Sequence, residues 1–515
     1  MNNPTPPSPN PLPSYISGAT PNPKDKRAPW YKNTAPTYAG IFLWFVFWQG
    51  AVNSATTGGG LAQGLGVALL GLVIAALICH FLFYLVPGLL GMKTGLPLYI
   101  VGTSTFGARG GFIMPGFLMG VLQFGWLGVN AFFSAQLLAP VVHVPAQILM
   151  VVWAVLAAFV GLKGIQYVAR VATYLPLIPL LTLLLLFFKT VGGLGSFDPK
   201  SLGEIHATVA QTGIMTAAPS PAMSVMGVLA FVITYVVGFF ATAGAAGVDF
   251  GMNSKDGKDV SSGGLFGVAL AILITAGLST CVVAGVYGSK QYGDPAVAAA
   301  KATVTQAIAT ADAAAQKAGK ALTDEQKEKI ADATSHDALF QTTNLMGIVL
   351  GDKLAGILWF LLALAAFPPA CFSSFIAANS FKTTLPKVNP FISVGLGTLV
   401  SIVLAVTGWA GDAAGVFTII GASFGPICGA MLADYLLNGK KWSGPRAGFN
   451  PAGWIAWALG FVVGISTNPA IGAPQEITAP VAAFVVGAVV YALCFKIGLK
   501  SAVLPVPATL AEATK

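Results

Sequence analysis

Two polar residues within one apolar stretch could bind a flat ring. Gln123 and Trp126 are three residues apart, so their side chains share one face of a helix. The indole offers a stacking face, and the amide offers a donor and an acceptor to a ring edge. The pair therefore suits a planar polar ligand, although a hydrogen bond to a neighbouring helix and simple packing explain it more economically.

The residue types that usually carry catalysis are dispersed along the chain. The sequence contains no HExxH, GxSxG or Walker motif, and its five cysteines stand singly in apolar stretches. Its four histidines lie far apart (His80, His143, His206 and His336). We therefore expect a protein that is not an enzyme, binds no cofactor and is not driven directly by ATP.

The composition indicates a membrane protein. Of 515 residues, 55% are hydrophobic and 9% are charged, whereas roughly 25% are charged in an ordinary soluble domain. The 61 glycines and 33 prolines suit close helix packing and interrupted helices within a bilayer. The net charge of +9 comes from basic residues in short connections, which predicts orientation in a lipid bilayer rather than nucleic-acid binding.

Apolar windows of about 20 residues, the length that crosses a bilayer, predict an all-α membrane protein with about twelve spans. The predicted spans are 39–57, 65–91, 111–139, 144–162, 168–190, 225–249, 263–288, 347–380, 388–409, 413–438, 451–468 and 478–499.

The basic residues predict the orientation of these spans. Every even-numbered gap contains Lys or Arg, as do both ends of the membrane region, and the short odd-numbered gaps contain neither. We expect the protein to lie in the inner, cytoplasmic membrane. By the positive-inside rule, we expect both of its termini on the cytoplasmic side.

The chain divides into segments of different composition. Residues 1–36 predict a disordered cytoplasmic tail, and 501–515 a second cytoplasmic tail. The Ala-rich insertion 290–345 predicts a soluble helical cap outside the membrane, with a capping box from Thr323 to Gln326. A solvated insertion is the simpler interpretation of that cap, and gating or partner binding is the alternative.

Two glycine-rich interruptions predict an internal repeat. One lies in the first span, at 50–60, and the other in the sixth, at 238–244. Interrupted helices in corresponding positions are typical of transporters built from inverted repeats, with the solute between them. We therefore expect repeats at 37–190 and 191–438, followed by two helices in 439–500. Ordinary glycine-mediated packing is the alternative.

Four short stretches, in order over about four hundred residues, resemble the nucleobase:cation symporter-1 family, and most closely its cytosine and purine permeases. Each is short, and the resemblance covers nearly all the membrane region. The stretches are 57–59; 123–126; 238–242 with Gly244, Asp249 and Phe250; and Pro426, Gly429 and 433–435.

The resemblance implies a leucine-transporter-type fold of five plus five helices and two more at the C-terminus. It also implies substrate-binding roles: Trp126 and Phe240 would sandwich a nucleobase, and Gln123 would bind its edge. Thr242 and the backbone from Phe239 onward would serve the other polar atoms. Asn53 is a further candidate, because it lies in the interruption of the first span.

The eighth span departs from the family pattern. Sodium-dependent members use Asn and hydroxyl side chains there, whereas this chain has alanines, Pro368 and Pro369. A hard cation needs several oxygen ligands, so sodium would depend on freed backbone carbonyls or on Ser373 and Ser374. The coupling ion is therefore Na⁺ or H⁺.

Two acids lie at the ends of spans. Asp249 and Asp434 follow the apolar parts of the sixth and tenth spans. Ionisable residues in a membrane are functional candidates, but an end position lets a carboxylate reach water. We expect helix-end or loop contacts for both.

Together these patterns predict ion-coupled uptake of a neutral nucleobase, cytosine or a purine. Neutrality follows because the central parts of the spans contain no basic residue for an anion. A related symporter for another heterocycle, such as allantoin, hydantoin, thiamine or a pyridoxine-type vitamer, is the nearer alternative. A channel or receptor-like scaffold is the more remote one.

Overall fold

The part of the chain that the structure describes folds almost entirely into helices. The computed structural model describes residues 12–42, 59–163, 174–210, 223–317, 319–385, 387–467 and 476–511. Long apolar segments become helices because a helix satisfies its own backbone groups within lipid. The helices at the predicted spans are α1 (Thr34–Phe42), α2 (Leu65–Thr94), α3 (Phe112–Val142), α4 (Ala146–Lys163), α5 (Leu177–Thr190), α6 (Val225–Ala245), α7 (Gly257–Tyr287), α8 (Asp352–Thr384), α9 (Pro390–Val406), α10 (Ala413–Leu437), α11 (Pro451–Ser466) and α12 (Ala479–Lys496).

These helices confirm a multi-pass membrane protein. Among the described residues, nine helices are long and apolar enough to cross a membrane, and α9 and α11 are shorter apolar helices. Eleven predicted spans therefore coincide with a described helix. The first span lies largely outside the described residues, which end at Phe42 and resume at Gly59.

Two groups of helices surround the region of the candidate site. Helices α3, α4, α8 and α9 pack against one another, while α6 packs between α2 and α10. Small residues allow these close approaches. At Gly161 of α4, for example, an added Cβ would lie 2.5 Å from the carbonyl oxygen of Cys371 in α8.

The N-terminal segment corrects one prediction. Residues 12–36 are not disordered, because side chains anchor this proline-rich segment to the helices. The Tyr15 hydroxyl donates to the Ala108 carbonyl, and Ile16 is fully buried. Arg27 donates to the Met92 carbonyl at 2.5 Å. Met92 lies near the C-terminal end of α2, where the helix dipole favours a positive charge. These contacts could not be predicted from the sequence, because the segment lacks the helical periodicity that indicates a buried face.

The insertion between α7 and α8 is helical, as predicted. Its helices are Lys290–Lys317, Asp324–Phe340 and Thr342–Leu350. The predicted capping box is present, with reciprocal bonds between Thr323 and Gln326 of 3.0 and 3.2 Å.

The predicted interruption of the sixth span is wrong. Helix α6 winds regularly through Gly238 and Gly244 and ends at Ala245, and a short helix, Gly247–Gly251, follows. A Cβ added to Gly238 would lie 2.3 Å from the Phe417 carbonyl oxygen in α10. Glycine therefore serves close packing here, which was the alternative interpretation. The predicted interruption in the first span falls mostly outside the described residues.

Candidate functional site

The candidate site begins where α3 meets α6. Trp126 lies near the middle of α3, and its Nε1 donates to Thr242 Oγ1 of α6 at 3.2 Å. The Phe239 ring meets the indole edge-on, with ring centroids 4.8 Å apart. Trp126 is partly exposed, whereas Phe239 and Thr242 are buried. The structure thus brings together three of the residues that the sequence predicted.

Phe417 of α10 completes this aromatic group. Its ring stacks on the indole of Trp126 at 5.2 Å and 30°, and it meets the Phe239 ring edge-on at 5.3 Å. The sequence analysis missed Phe417, because a phenylalanine among apolar residues carries no distinguishing pattern. We call Trp126, Phe239, Thr242 and Phe417 the aromatic box.

Phe240 points away from the aromatic box. Consecutive residues in a helix are about 100° apart, so Phe239 and Phe240 cannot both face Trp126. The Phe240 ring packs 5.6 Å from that of Tyr38 in α1, and its side chain is fully buried. Of the two phenylalanines, Phe239 rather than Phe240 is the ring beside Trp126.

Gln123 is buried but only weakly engaged. It is 6% exposed, and its Nε2 lies 3.6 Å from the Met119 sulfur on the same helix. A thioether is a weak acceptor. Among the described residues the amide oxygen of Gln123 accepts no hydrogen bond, so the amide retains capacity for a ligand. Asn53 lies outside the described residues.

A second amide on α3, which the sequence analysis missed, ties three helices together. Asn130 donates to the Ala366 carbonyl of α8 at 2.9 Å and accepts from Trp153 Nε1 of α4 at 2.9 Å. Asn130 lies four residues, or about one helical turn, beyond Trp126. That spacing places both side chains on one face of α3, and it was the signal by which the sequence could have identified Asn130. These two hydrogen bonds hold α3, which carries Trp126 of the aromatic box, against α8 near Pro368 and Pro369.

Helix α8 continues through Pro368 and Pro369. Prolines lack an N–H, so they leave two upstream carbonyls without a helical donor. Ser374 Oγ lies 3.4 Å from the Ala370 carbonyl of its own helix. Within the described ranges, no group of three or more His, Cys, Asp or Glu side chains could hold a metal ion.

Both acids make the predicted helix-end and loop contacts. Asp249 Oδ1 accepts from the Leu98 N–H at 3.0 Å, and burial raises the pKa of this carboxyl to about 6. Asp434 accepts from Ser104 and Tyr491, each at 2.7 Å, and is 3% exposed. Asp434 therefore does not reach water, contrary to expectation.

A cavity of about 620 Å³ lies elsewhere, beside Pro140, Asp352 and Trp359. Pro140 follows Trp126 by 14 residues of α3, or about 21 Å along a helix. This cavity is therefore separate from the aromatic box.

The fold is similar to that of a solved transporter. A structure described as the inward-facing conformation of Mhp1 matches with a TM-score of 0.58 and 13% identity, over 97% of this chain and 99% of that chain. A second Mhp1 structure matches with a TM-score of 0.56 and 13% identity, over 96% of this chain and 98% of that one. That structure is described as a nucleobase-cation-symport-1 family transporter in a closed conformation with bromovinylhydantoin bound.

These matches confirm the predicted leucine-transporter-type fold and, at the level of the fold, the resemblance to the nucleobase:cation symporter-1 family. At 13% identity they show the fold alone. No protein-family model matches the chain, and no curated protein sequence does.

Proposed function

We propose that this chain is a cation-coupled secondary transporter that takes up a neutral nucleobase, cytosine or a purine. The observation that carries the proposal is the aromatic box, where a partly exposed indole in the middle of α3 lies beside buried aromatic rings and a hydroxyl. A nucleobase would stack on the indole, and Gln123 would hydrogen-bond its edge.

The chemistry of the neighbouring helices supports a neutral ligand. Neither α3 nor α6 contains a Lys, Arg, Asp or Glu residue. An anionic substrate usually meets a basic side chain, and a cationic one an acid, because an uncompensated charge is expensive in a dry site. Stacking and amide hydrogen bonds need no charge, and they select flat rings with polar edges.

The fold supports secondary transport. Its match to Mhp1 extends over nearly the whole chain, including the helices that form the aromatic box. Mhp1 is described with a bromovinylhydantoin bound. That description favours a second candidate, a symporter for a hydantoin-type or another small heterocycle, because stacking and amide contacts accept several planar rings.

Uptake into membrane vesicles tests the proposal. Vesicles containing the protein would receive labelled cytosine, adenine, hypoxanthine or uracil under an imposed sodium or proton gradient. We expect at least one base to accumulate above its external concentration and to leak out when the gradient is dissipated. Failure of all four would remove the nucleobase assignment.

Two further readouts separate the alternatives. Competition by unlabelled hydantoin, allantoin, thiamine and pyridoxine would identify another heterocycle, if one of them blocks uptake better than any nucleobase. Equilibration without accumulation would indicate a channel.

A further inference from the structure

A histidine lies in the middle of the second span. His80 follows Leu65 by 15 residues and precedes Thr94 by 14 in the 30-residue helix α2. It is 2% exposed. Ionisable residues near the bilayer centre are costly and are functional candidates by default. The aromatic box does not include His80.

The polar atoms around this histidine are unsatisfied. Within the described part of the chain, His80 Nδ1 and the Tyr84 hydroxyl are buried and have no hydrogen-bond partner. Their rings lie 6.2 Å apart at an interplanar angle of 28°. A histidine that served packing alone would be expected to bond a neighbouring carbonyl or hydroxyl.

Helix α7 leaves room for these two side chains. A Cβ added to Gly264 would lie 2.5 Å from His80 Nδ1 and 2.4 Å from the Tyr84 ring. Only glycine therefore fits where α7 crosses them. We call His80, Tyr84 and Gly264 the histidine niche.

Both helices change their winding at the niche. In α2 the π-helical turn is Cys79–Tyr84, and in α7 it is Leu265–Leu270, directly after Gly264. Single π-turns inside α-helices occur frequently at functional sites. Two that meet at one buried, unpaired histidine form a second, independent indication of function.

Among the residues that the structure describes, no charged group neutralises His80. None of the described Asp, Glu, Lys or Arg side chains forms an ion pair with it. On its own helix the other titratable groups are Cys79, Tyr84 and Lys93, and Lys93 lies at the far C-terminal end, where it donates to the Lys440 carbonyl at 2.7 Å. On α1 it is Tyr38, whose hydroxyl donates to the Ala243 carbonyl at 2.8 Å. Helix α6 carries no charge.

The remaining titratable groups near the niche have other partners or face water. Asp259 of α7 accepts from the Trp30 N–H at 3.1 Å, and Lys258 is exposed. Asp249, beyond the end of α6, binds the Leu98 N–H. The proton-accepting group of the niche is therefore the imidazole.

We propose that His80 binds the proton that drives transport, which makes H⁺ the coupling ion; this inference rests on the proposed function. A hydronium ion that reaches the niche gives its proton to the lone pair of Nδ1 and leaves as water. The Phe81 ring, whose centroid lies 4.6 Å from that of the imidazole, favours the resulting imidazolium. Release of that proton to water on the other side restores the neutral ring.

A substrate-free measurement tests the site first. The full-length protein with ¹⁵N-labelled histidine has four imidazoles, and His80→Gln assigns the signal of interest in lipid nanodiscs. We expect the His80 nitrogens to change from neutral to imidazolium between about pH 8 and about pH 5. Phe81→Leu, which removes the aromatic ring beside the imidazole, should move that transition to lower pH.

A transport measurement then tests coupling. Under an imposed proton gradient, His80→Gln should lose accumulation but retain exchange of labelled for unlabelled substrate, since its substrate site is unchanged. The matched control is His143→Asn at the C-terminal end of α3, a left-handed position that Asn tolerates. This control should accumulate substrate like the wild type.

Four outcomes decide between the two proposals. Constant His80 signals across that pH range, or accumulation by His80→Gln equal to wild type under the proton gradient, would overturn the proposal. So would accumulation that needs sodium and ignores the proton gradient. If His80 titrates while no nucleobase is taken up, the proton site stands and the substrate assignment fails.

Discussion

Two buried polar regions of this protein differ in how firmly they are held. In the aromatic box the indole of Trp126 makes one hydrogen bond, at 3.2 Å, and the rest is ring packing. Near the C-terminal end of α10, Asp434 accepts from Ser104, Tyr491 and Asn438 and pairs with Arg446 at 3.5 Å. The first region contains no charge, and the second contains a buried ion pair.

This difference separates two tasks. A buried carboxylate with several donors fixes the elements that supply them, here α10, α12 and the segments around Ser104 and Arg446. A lightly bonded aromatic group exchanges one ring contact for another at low cost, because stacking tolerates different partners. We therefore expect mutations in the hydrogen-bond network of Asp434 to affect stability, and mutations in the aromatic box to affect binding.

The largest expected effect is loss of the buried ion pair between Asp434 and Arg446. Asp434→Ala leaves Arg446 buried without its partner, which should reduce the free energy of unfolding by about 3–5 kcal/mol. The measurement is the apparent melting midpoint of the purified protein. The control is Lys329→Ala, which breaks an exposed pair of 2.7 Å with Glu325 and should leave the midpoint unchanged. Equal effects of the two variants would contradict the comparison.

The next effect concerns the aromatic box. Trp126→Ala removes one stacking surface, which should weaken nucleobase binding by about 1–3 kcal/mol, or several-fold to over a hundredfold. Equilibrium binding of labelled base to purified protein measures this change. Trp409→Ala, at a tryptophan that is 74% exposed, is the control and should bind normally. Unchanged affinity in Trp126→Ala would exclude the indole as the stacking partner.

A smaller effect should appear as altered selectivity. Gln123→Leu keeps the volume of the side chain but leaves a polar ring atom without a partner, so bases with different edges should lose affinity unequally. Competition among cytosine, adenine and hypoxanthine measures the ratios. Equal losses for every base would instead indicate that Gln123 only packs.

The smallest effect is a pH dependence at Asp249, beyond the C-terminal end of α6. Burial raises the pKa of Asp249 to about 6, so the folded protein binds this proton more tightly than the unfolded chain. The associated stability is complete at low pH and is lost as pH rises through about 6. From about pH 7.5 to about pH 5.5, the wild type should gain a few degrees in melting midpoint relative to Asp249→Asn. Parallel pH profiles would contradict this assignment.

The sequence predicted the helices well because the bilayer imposes their length and composition. It predicted the capping box of the insertion equally well, since that signal is local to Thr323 and Gln326. It failed at Gly238, because a glycine suits both a helix interruption and a close approach, and only the position of Phe417 decides between them.

The candidate site was predicted only in part, because its geometry depends on how distant helices are arranged in space. Trp126, Thr242 and Phe239 meet as neighbours, but the choice between Phe239 and Phe240 depends on the rotation of α6, which sequence does not specify. Phe417 comes from a helix that is distant in sequence, and Asn130 acts through a carbonyl of α8. The anchors of the N-terminal segment, such as Tyr15, likewise depend on tertiary contacts.

A density map of the protein in lipid with saturating nucleobase tests the central claim most directly. We predict a flat density against the indole of Trp126, with one polar edge within hydrogen-bonding distance of the Gln123 amide. A base bound elsewhere, or an indole that still stacks on Phe417 with no ligand beside it, would contradict the account.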